Sequence, residues 1–220
     1  MTTPPYRAPP PAPLDYLHVD RSVLVVDKPS GLLSVPGRGD GKADCLVARV
    51  QADFPDACIV HRLDMDTSGL MVLARGSAAQ RALSLEFQAR RVGKRYIAVV
   101  DGLLSASSGT IDLPLVTDWP NRPRQRVDFA FGKPSLTHFR VLERDRAASA
   151  TRLELMPETG RSHQLRVHLL SIGHAILGDP LYATPAACAR APRLLLHATR
   201  LAFAHPEDGR PIELSRAAPF

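Results

Sequence analysis

A polar segment of nine residues between two short apolar runs constrains this chain most. The runs are residues 57–60 (Ala-Cys-Ile-Val) and 70–74 (Leu-Met-Val-Leu-Ala), and residues 61–69 between them carry acids, a histidine, an arginine, two hydroxyls and a glycine. Short apolar runs bounded by turn-forming residues are typical of β-strands. The pattern predicts two strands joined by a turn at the end of a sheet, where functional groups are often presented. Asp64, within that turn, is the first candidate for chemistry.

The rest of the chain alternates strand and helix patterns. Helical spacing predicts a helix through Leu46, Val47, Val50 and Phe54, and another with Ala79, Leu83 and Phe87 facing inward. Ser77 and Gln80 form a capping-box pattern that would open the second helix. Leu165, Leu169 and Ile172 predict a third helix, ending at Gly173. Further strands are predicted at residues 23–26, 94–100, 137–142, 151–156 and 201–204.

Composition permits a full hydrophobic core and favours a polyanionic partner. At 220 residues and 45% hydrophobic content, the chain can form one large unit or two closely joined ones. Lysine and arginine number 28 against 22 acidic residues, giving a formal charge of +6. A modest basic excess suits nucleic acid but also occurs in proteins that bind none, so charge alone leaves the partner open.

Cysteine usage and hydropathy indicate a reducing compartment. Cys45, Cys58 and Cys188 are odd in number and lack paired spacing, which predicts buried thiols and neither a disulfide framework nor a zinc cluster. His163 and His168 are five apart, unlike the four-residue spacing of a helical zinc pair, so no metal site is expected. No apolar stretch approaches the ~20 residues of a membrane span, and no secretory signal precedes the chain. We therefore expect a cytoplasmic protein without membrane contact.

The first residues are rich in proline, which predicts an extended tail. Six prolines fall within residues 4–13, and such sequence has little to bury. We therefore expect residues 1–19 to be a disordered tail and residues 20–220 to be the folded domain.

Residues 61–69 match His-Arg-Leu-Asp-x-x-Thr-Ser-Gly, a signature of the RluA-type pseudouridine synthases. Five further blocks resemble that family in the family's order, and they are distributed across roughly residues 20–206, which is most of the chain. They are 27–31 (Asp-Lys-Pro-Ser-Gly), 94–96 (Lys-Arg-Tyr), 159–168 (Thr-Gly-Arg-Ser-His-Gln-Leu-Arg-Val-His), 176–179 (Ile-Leu-Gly-Asp) and 195–198 (Leu-Leu-His-Ala). Residues 118–123 (Asp-Trp-Pro-Asn-Arg-Pro) resemble the short subgroup that modifies both transfer and ribosomal RNA.

The resemblance implies a fold and a reaction. The fold is α+β, a mixed and largely antiparallel sheet flanked by helices, with a central cleft and Asp64 at its floor. The reaction converts uridine in structured RNA to pseudouridine by breaking the N1–C1′ bond, turning the uracil and rebonding through C5. This isomerisation needs no cofactor. Whether Asp64 acts as nucleophile or as general base stays open.

The resemblance also assigns supporting residues. Arg166 is the ion-pair partner of Asp64 and keeps that carboxylate ionised, Tyr96 packs against the flipped uracil, and Arg62 enters the gap that the base leaves. From the residues alone, Arg166 would share a helix face with His163, opposite the buried leucines, and would either project into a site or be a solvated arginine on an exposed face. Tyr96 would be a core tyrosine and Arg62 one half of a salt bridge. His61 is expected to shape the turn.

Two other functions compete with this one. Asp64 and Asp66 could form the carboxylate pair of a glycosidase, although no aromatic sugar platform accompanies them. A catalytically silent RNA-binding protein could also keep a basic cleft, but the complete set of Asp64, Tyr96 and Arg166 argues against it.

A basic, proline-broken loop is the predicted RNA-binding element. Proline at positions 120, 123 and 134 excludes a long regular element there, so the loop should project. The resemblance implies that it clasps an anticodon stem-loop of transfer RNA or a similar hairpin of 23S-type ribosomal RNA, with the enzyme a monomer. A solvated charge run is the alternative, and Arg90, Arg91, Lys94 and Arg95 form a second basic patch. The predicted RNA contacts are Trp119, Arg122, Arg124, Arg126, Lys133, Arg161 and His163.

Overall fold

The computed structural model describes residues 6–220, which form twelve β-strands, four α-helices and one 3-10 turn. These residues divide into two compact units. The first unit contains the described residues up to Gly93 together with Ala198–Ala218, and the second contains Lys94–His197 together with Pro219–Phe220.

The first unit is built on antiparallel strand pairs. β2 (Val23–Lys28) pairs with both β1 (Asp15–Val19) and β4 (Ser68–Arg75), and β3 (Ala57–Ile59) also pairs with β4. β11 (Leu196–Ala204), most of whose residues belong to this unit, lies next to β4 and pairs with β12 (Pro211–Ser215). β2 and β4 are almost wholly buried, as expected of central strands.

Two helices accompany these strands, α1 (Leu46–Asp53) and α2 (Gly76–Gln88). The predicted inward residues of α2, Ala79, Leu83 and Phe87, pack against apolar side chains of β2, β4 and β11. This burial is the main stabilising contribution to the unit, because each fully buried aliphatic side chain contributes about 1.5–3 kcal/mol.

The second unit contains the sheet order β5-β10-β9-β6 with antiparallel neighbours. These strands are β5 (Gly93–Asp101), β6 (Ser108–Asp112), β9 (Leu136–Asp145) and β10 (Ala150–Pro157). A separate small sheet pairs β7 (Leu115–Thr117) with β8 (Gln125–Val127). The helices are α3 (Gln164–Ser171) and α4 (Pro185–Ala189). Leu165 and Leu169 of α3 pack in one core with Leu153 and Leu155 of β10.

The predicted fold class is confirmed, an α+β fold with a mostly antiparallel mixed sheet. The strands predicted from apolar runs and all three predicted helices are present. The central cleft stays a prediction. None of the helices in residues 6–220 is both long and apolar enough to cross a membrane.

The predicted tail of residues 1–19 is wrong at its carboxyl end. Asp15–Val19 forms β1, and upstream of it Pro9 O accepts a hydrogen bond of 2.6 Å from Arg49. Tyr6 donates its hydroxyl to Asp44 O at 3.0 Å. Proline-rich sequence lacks a core of its own but is held here by hydrogen bonds to the folded unit. Residues 1–5, which include two of the prolines, lie outside the described residues.

Two smaller predictions are also wrong. The capping box is not formed, because α2 begins at Gly76 and its N-cap, Arg75, makes no side-chain cap; Gln80 donates instead to Ile59 O at 2.9 Å. The three cysteines are free thiols, but only Cys45 is buried, while Cys58 and Cys188 are half-buried. Burial raises the pKa of the Cys45 thiol, which suits an inert core residue.

Candidate active site

Asp64 lies in the connection between β3 and β4, as the two apolar runs predicted. The connection makes a turn in which the Thr67 amide donates to Asp64 O at 3.2 Å. Leu63 and Thr67 are buried and Asp64 is half-buried, whereas Arg62 is exposed. The turn thus presents one carboxylate from a backbone that is itself in the interior.

Lys28 holds the backbone beside Asp64. Its side chain is fully buried at the end of β2, and its amine donates to the carbonyls of Met65 (2.9 Å), Leu32 (2.6 Å) and Pro29 (2.9 Å). An ammonium group has three donors, so it can bond to all three carbonyls at once. A cation buried in this way fixes the residue that follows Asp64.

Two serines hold the turn on either side of Asp64. Ser34 Oγ donates to Leu63 O at 2.7 Å and accepts from the Leu63 amide at 3.1 Å. Ser30 Oγ donates to Asp66 O at 2.7 Å. The Lys-Pro-Ser segment after β2 is therefore the scaffold of the Asp64 turn, and the two sequence blocks belong to one structural element.

His61 and Gly69 close the ends of this segment. His61 Nε2 accepts a hydrogen bond of 3.0 Å from the Val72 amide, and its ring stacks on Phe87 with centroids 4.5 Å apart. These contacts agree with the predicted turn-shaping role. Gly69 has φ 113°, and a Cβ there would collide with the backbone of Ala198 on β11, so only glycine fits.

In the second unit, Tyr96 lies on β5 opposite Leu155 of β10. Its ring is half-buried and packs against the core of that unit. The preceding residue, Arg95, forms an ion pair with Glu154 at 3.1 Å. Tyr96 thus combines the core packing of an ordinary strand tyrosine with a partly accessible surface, and its contact with uracil stays a prediction.

Arg166 forms a buried, two-pronged ion pair with Asp179. Nε lies 2.8 Å from Oδ2 and Nη2 lies 2.7 Å from Oδ1, and the two side chains are 2% and 0% exposed. Asp179 Oδ1 also accepts the amides of Leu181 (2.9 Å) and Tyr182 (3.1 Å). Paired geometry and satisfied acceptors make such a buried pair tolerable. Sequence reasoning did not find Asp179 as a partner; the pairing of Arg166 with Asp64 stays a prediction.

The predicted exposed face shared by His163 and Arg166 is wrong. Every residue from Gln164 to Leu169 is buried, so this part of α3 has no solvated face. His163 is not in the helix; it is the N-cap, with a left-handed φ of 54°. A helix enclosed by its unit does not follow the one-sided pattern on which the prediction rested.

Tyr182 connects α3 to the small sheet. Its ring centroid lies 5.1 Å from the guanidinium carbon of Arg166 and 5.3 Å from that of Arg124. Its hydroxyl accepts from the Gln125 amide at 2.7 Å and forms a hydrogen bond of 2.7 Å with His163 Nδ1. A buried tyrosine thus joins the ion pair to the basic hairpin.

Gln164 organises the turn before α3. Its Oε1 accepts from the Thr159 hydroxyl (2.7 Å) and the Arg161 amide (3.0 Å), and its Nε2 donates to Leu136 O (3.0 Å). The Arg161 side chain is exposed and its Nε lies 3.4 Å from Pro134 O. The buried glutamine therefore fixes the turn from which Arg161 projects.

The predicted RNA-binding loop contains more regular structure than the proline pattern indicated. β7 and β8 form a short hairpin whose tip is the 3-10 turn Trp119–Asn121. Trp119 is 67% exposed, with the Arg122 guanidinium carbon 4.4 Å from its ring centroid. Arg126 pairs with Asp128 at 2.8 Å, and Lys133 is exposed. Four of the five residues predicted for this loop lie on the hairpin, with Arg126 already ion-paired. Lys133 lies after the hairpin and exchanges backbone hydrogen bonds with Leu115.

Comparison with known proteins decides what this arrangement belongs to. Residues 22–171 match the family model for RNA pseudouridylate synthase. The chain belongs to the RNA pseudouridylate synthase family. It isomerises uridine in RNA to pseudouridine.

Individual relatives agree with that assignment. The chain is 53% identical over 204 residues to the dual-specificity RNA pseudouridine synthase RluA of Yersinia pestis, covering 93% of this chain and 98% of the relative. It is 50% identical over 204 residues to the protein of that name from Escherichia coli K12, covering 93% of both chains. The solved structure of human RNA pseudouridylate synthase domain containing 1 has 32% identity and a TM-score of 0.80, covering 96% of this chain and 87% of that one.

Several residues of this pseudouridine synthase were missed by sequence reasoning. Lys28 and Asp179 stand in blocks that resemble the family, yet a lysine before proline and an acid in a loop ordinarily predict exposure. Ser34 and Tyr182 carried no signal. Phe129 and Phe131 did carry a sequence signal, because large aromatic residues inside a polar loop are unusual for a solvated segment.

Metal chemistry is not suggested by the geometry of the described part of the chain. Within residues 6–220, no three His, Cys, Asp or Glu side chains are grouped to hold a metal ion. His168 is buried, with its ring nitrogens at hydrogen-bond distance from Thr137 and Leu113. Independence from metals and cofactors stays a prediction.

Proposed function

We propose that this enzyme is a dual-specificity RNA pseudouridine synthase. Its substrates are the anticodon stem-loop of transfer RNA and a similarly shaped hairpin of 23S-type ribosomal RNA. The observation that carries this proposal is the 50–53% identity, over 93% of the chain, to relatives named for dual specificity. The tryptophan-bearing hairpin supports it, because a compact enzyme must choose its RNA through such surface elements.

Asp64 is the catalytic group in this proposal. Its carboxylate either attacks the sugar or base, or removes a sugar proton, so that C1′–N1 breaks and C1′–C5 forms. The C5 proton leaves and N1 gains one, so the product is an isomer of unchanged mass. The clamped backbone around Asp64 supports this role, because a group fixed before substrate binds avoids the cost of ordering it during the reaction.

Three residues assist Asp64. Arg166 is the ion-pair partner of the Asp64 carboxylate, and its pairing with Asp179 holds the guanidinium in one orientation. Tyr96 packs against the flipped uracil with the exposed part of its ring. Arg62, exposed beside Asp64, occupies the place in the RNA stack that the uridine leaves.

The hairpin and the turn before α3 bind the RNA backbone. Phosphate contacts come from Arg122, Arg124, Lys133 and Arg161, with smaller contributions from Arg126 and His163. Trp119 stacks on an unpaired base. The folded part of the chain, with β1 included, acts as the catalytic domain of a cytoplasmic monomer that works without cofactor, metal or membrane.

The decisive experiment offers the purified enzyme two isolated RNAs, an anticodon stem-loop and the matching ribosomal hairpin. Pseudouridine is mapped in each product, after exhaustive chelation in an RNA that folds without magnesium. Modification of one loop uridine in both RNAs is expected. Modification of neither, with activity only on assembled ribosomal subunits, would refute dual specificity and leave the family's chemistry intact. Restoration of a chelated enzyme by zinc would refute metal independence.

A further inference from the structure

Two phenylalanines in the turn after β8 are the most exposed large hydrophobic residues of the described chain. Phe129 is 80% exposed and Phe131 is 81% exposed, whereas the large aliphatic residues with notable exposure reach at most 53%. An exposed phenyl ring forgoes the favourable burial that a core position would give it. Two such rings, separated by a single alanine, indicate a surface that a ligand covers.

The turn that carries these rings is ordered by its own hydrogen bonds. Asp128 Oδ1 accepts the amides of Ala130 (3.0 Å) and Phe131 (2.9 Å), and the Gly132 amide donates to Asp128 O (2.8 Å). Gly132 packs so tightly against Pro114 and Asp128 O that a Cβ there would collide. The two rings therefore project from an ordered backbone.

The electrostatic surroundings select the class of ligand. Residues 115–134 carry three arginines and one lysine against two aspartates. One of those aspartates, Asp128, is paired with Arg126 and the amides of the turn, so the turn adds little negative charge. Flat apolar faces within a basic surface suit a polyanion with exposed rings, which is single-stranded nucleic acid.

We propose that Phe129 and Phe131 form a stacking platform for unpaired bases of the RNA substrate. The platform is distinct from Tyr96, which the proposed mechanism assigns to the reacting uracil. This inference rests on the proposed function and names a specificity surface for it: loop nucleotides other than the target uridine stack on these rings. Because every base has a flat face, the platform selects splayed loops over paired stems and does not read a base sequence.

The expected effect is a loss of RNA affinity. Stacking of one base on one aromatic ring changes affinity by about fivefold to 100-fold. We therefore expect Phe129→Ala and Phe131→Ala each to weaken binding of the stem-loop by at least about fivefold, with the rate at saturating enzyme preserved. Leu103→Ala, on a residue that is 42% exposed in the same unit, is the matched control and should bind as wild type.

Conservative variants separate stacking from simple apolar contact. Phe129→Tyr and Phe131→Tyr keep a flat ring and should bind within about twofold of wild type, whereas Phe129→Leu and Phe131→Leu should lose affinity almost as alanine does. Leucine variants that bind as tightly as wild type would overturn the platform.

Binding is measured by fluorescence anisotropy on the anticodon stem-loop, on bulk transfer RNA and on deproteinised ribosomal RNA. Sedimentation of each variant is measured alongside. If both alanine variants bind every RNA as tightly as wild type does, the inference is overturned. The activity of the wild-type enzyme on these RNAs still tests the proposed function separately. The inference would also be overturned if the wild-type enzyme sedimented as a dimer and the alanine variants as monomers. The rings would then pack against a second copy of the chain. If only the large RNAs are modified, dual specificity is refuted. The stacking platform is then tested by the affinity of the alanine variants for those large RNAs.

Discussion

The Asp64 turn and the β7–β8 hairpin are built in opposite ways. The Asp64 turn is fixed from inside, by the buried Lys28 and by two serines that bind its backbone. The hairpin is held near its tip by Tyr182, which binds the Gln125 amide, and the Asp128 turn follows its second strand. The arginines, Trp119 and the two phenylalanines of that turn are exposed to solvent. The Asp64 turn holds one carboxylate in place, whereas the hairpin exposes several charged and aromatic side chains.

Under the proposed function, this contrast separates chemistry from recognition. Catalysis needs a carboxylate held in one place, and the hydrogen bonds of Lys28, Ser30 and Ser34 fix the backbone on either side of Asp64. Binding a flexible RNA loop needs charge and flat surfaces over a wider area, and long exposed side chains supply them with little desolvation. Substitutions in the turn should therefore change rate or folding, and substitutions in the hairpin should change affinity and its salt dependence.

Replacing the catalytic carboxylate should have the largest effect. Asp64→Asn keeps size and polarity but removes both basicity and nucleophilicity, so turnover should fall by at least about 10²–10⁴-fold while RNA binding persists. Single-turnover assays with mapped pseudouridine measure the loss. Substantial activity in a preparation free of wild-type enzyme would exclude Asp64 as the catalytic group.

The buried ion pair should matter next, and mainly for folding. Asp179→Ala removes the carboxylate from a buried ion pair and should lower the free energy of unfolding by about 3–5 kcal/mol. The control is Arg91→Ala, which breaks the exposed pair with Glu86 and should leave the denaturation midpoint almost unchanged. Equal midpoints for the two variants would show that the Arg166–Asp179 pair does not stabilise the unit.

Lys28→Met tests the interior support of the Asp64 turn. Methionine fills similar space but donates no hydrogen bond, and each carbonyl left without a donor costs about 1–3 kcal/mol. We expect lower stability in urea and, below the unfolding transition, a reduced single-turnover rate. Lys133→Met, on an exposed lysine beyond the hairpin, should leave stability unchanged. A Lys28→Met enzyme with wild-type rate would show that the clamp does not position Asp64.

The hairpin arginines should set the salt dependence of RNA binding. Arg122→Ala and Arg124→Ala should each reduce the slope of log affinity against log salt by about one, with the saturated rate retained. Arg126→Ala should reduce the slope less, because Asp128 already neutralises that charge. Identical slopes for all three variants and wild type would remove the hairpin from the RNA interface.

The smallest predicted effect concerns His168. Burial lowers the pKa of His168 below 6.5 and outweighs the Leu113 carbonyl and Asp112, both of which raise it. The unfolded chain therefore binds more protons than the folded one just below pH 6.5, so stability is retained above that pH and declines on acidification. The free energy of unfolding of His168→Gln should decline less than that of wild type over this range. A parallel decline would contradict the assignment.

The sequence predicted the elements with strong periodicity and missed those defined by tertiary contacts. The strands on either side of Asp64 follow from two apolar runs, and α2 follows from Ala79, Leu83 and Phe87. The start of α2 was misplaced because Gln80 bonds to β3 and does not cap the helix. β1 was missed because the neighbouring prolines masked a strand that exists only through its pairing with β2.

Site prediction shows the same division. The position of Asp64 in a turn was visible locally, and a family resemblance drew attention to Arg166. No local pattern shows that Lys28 is buried, or that Arg166 and Asp179, thirteen residues apart, form an ion pair. The burial of Lys28 and the Arg166–Asp179 ion pair depend on tertiary contacts, which sequence periodicity does not encode.

One measurement tests the separation of chemistry from recognition most directly. The dissociation constant and the single-turnover rate at saturating enzyme are determined on one stem-loop for wild type, Asp64→Asn and the double variant Arg122→Ala/Arg124→Ala. If chemistry and recognition are separate, the two variants should show opposite effects. Asp64→Asn should keep the affinity and lose the rate, and the double variant should lose affinity and keep the rate. A double variant whose saturated rate falls as far as that of Asp64→Asn, or an Asp64→Asn enzyme that no longer binds, would contradict it.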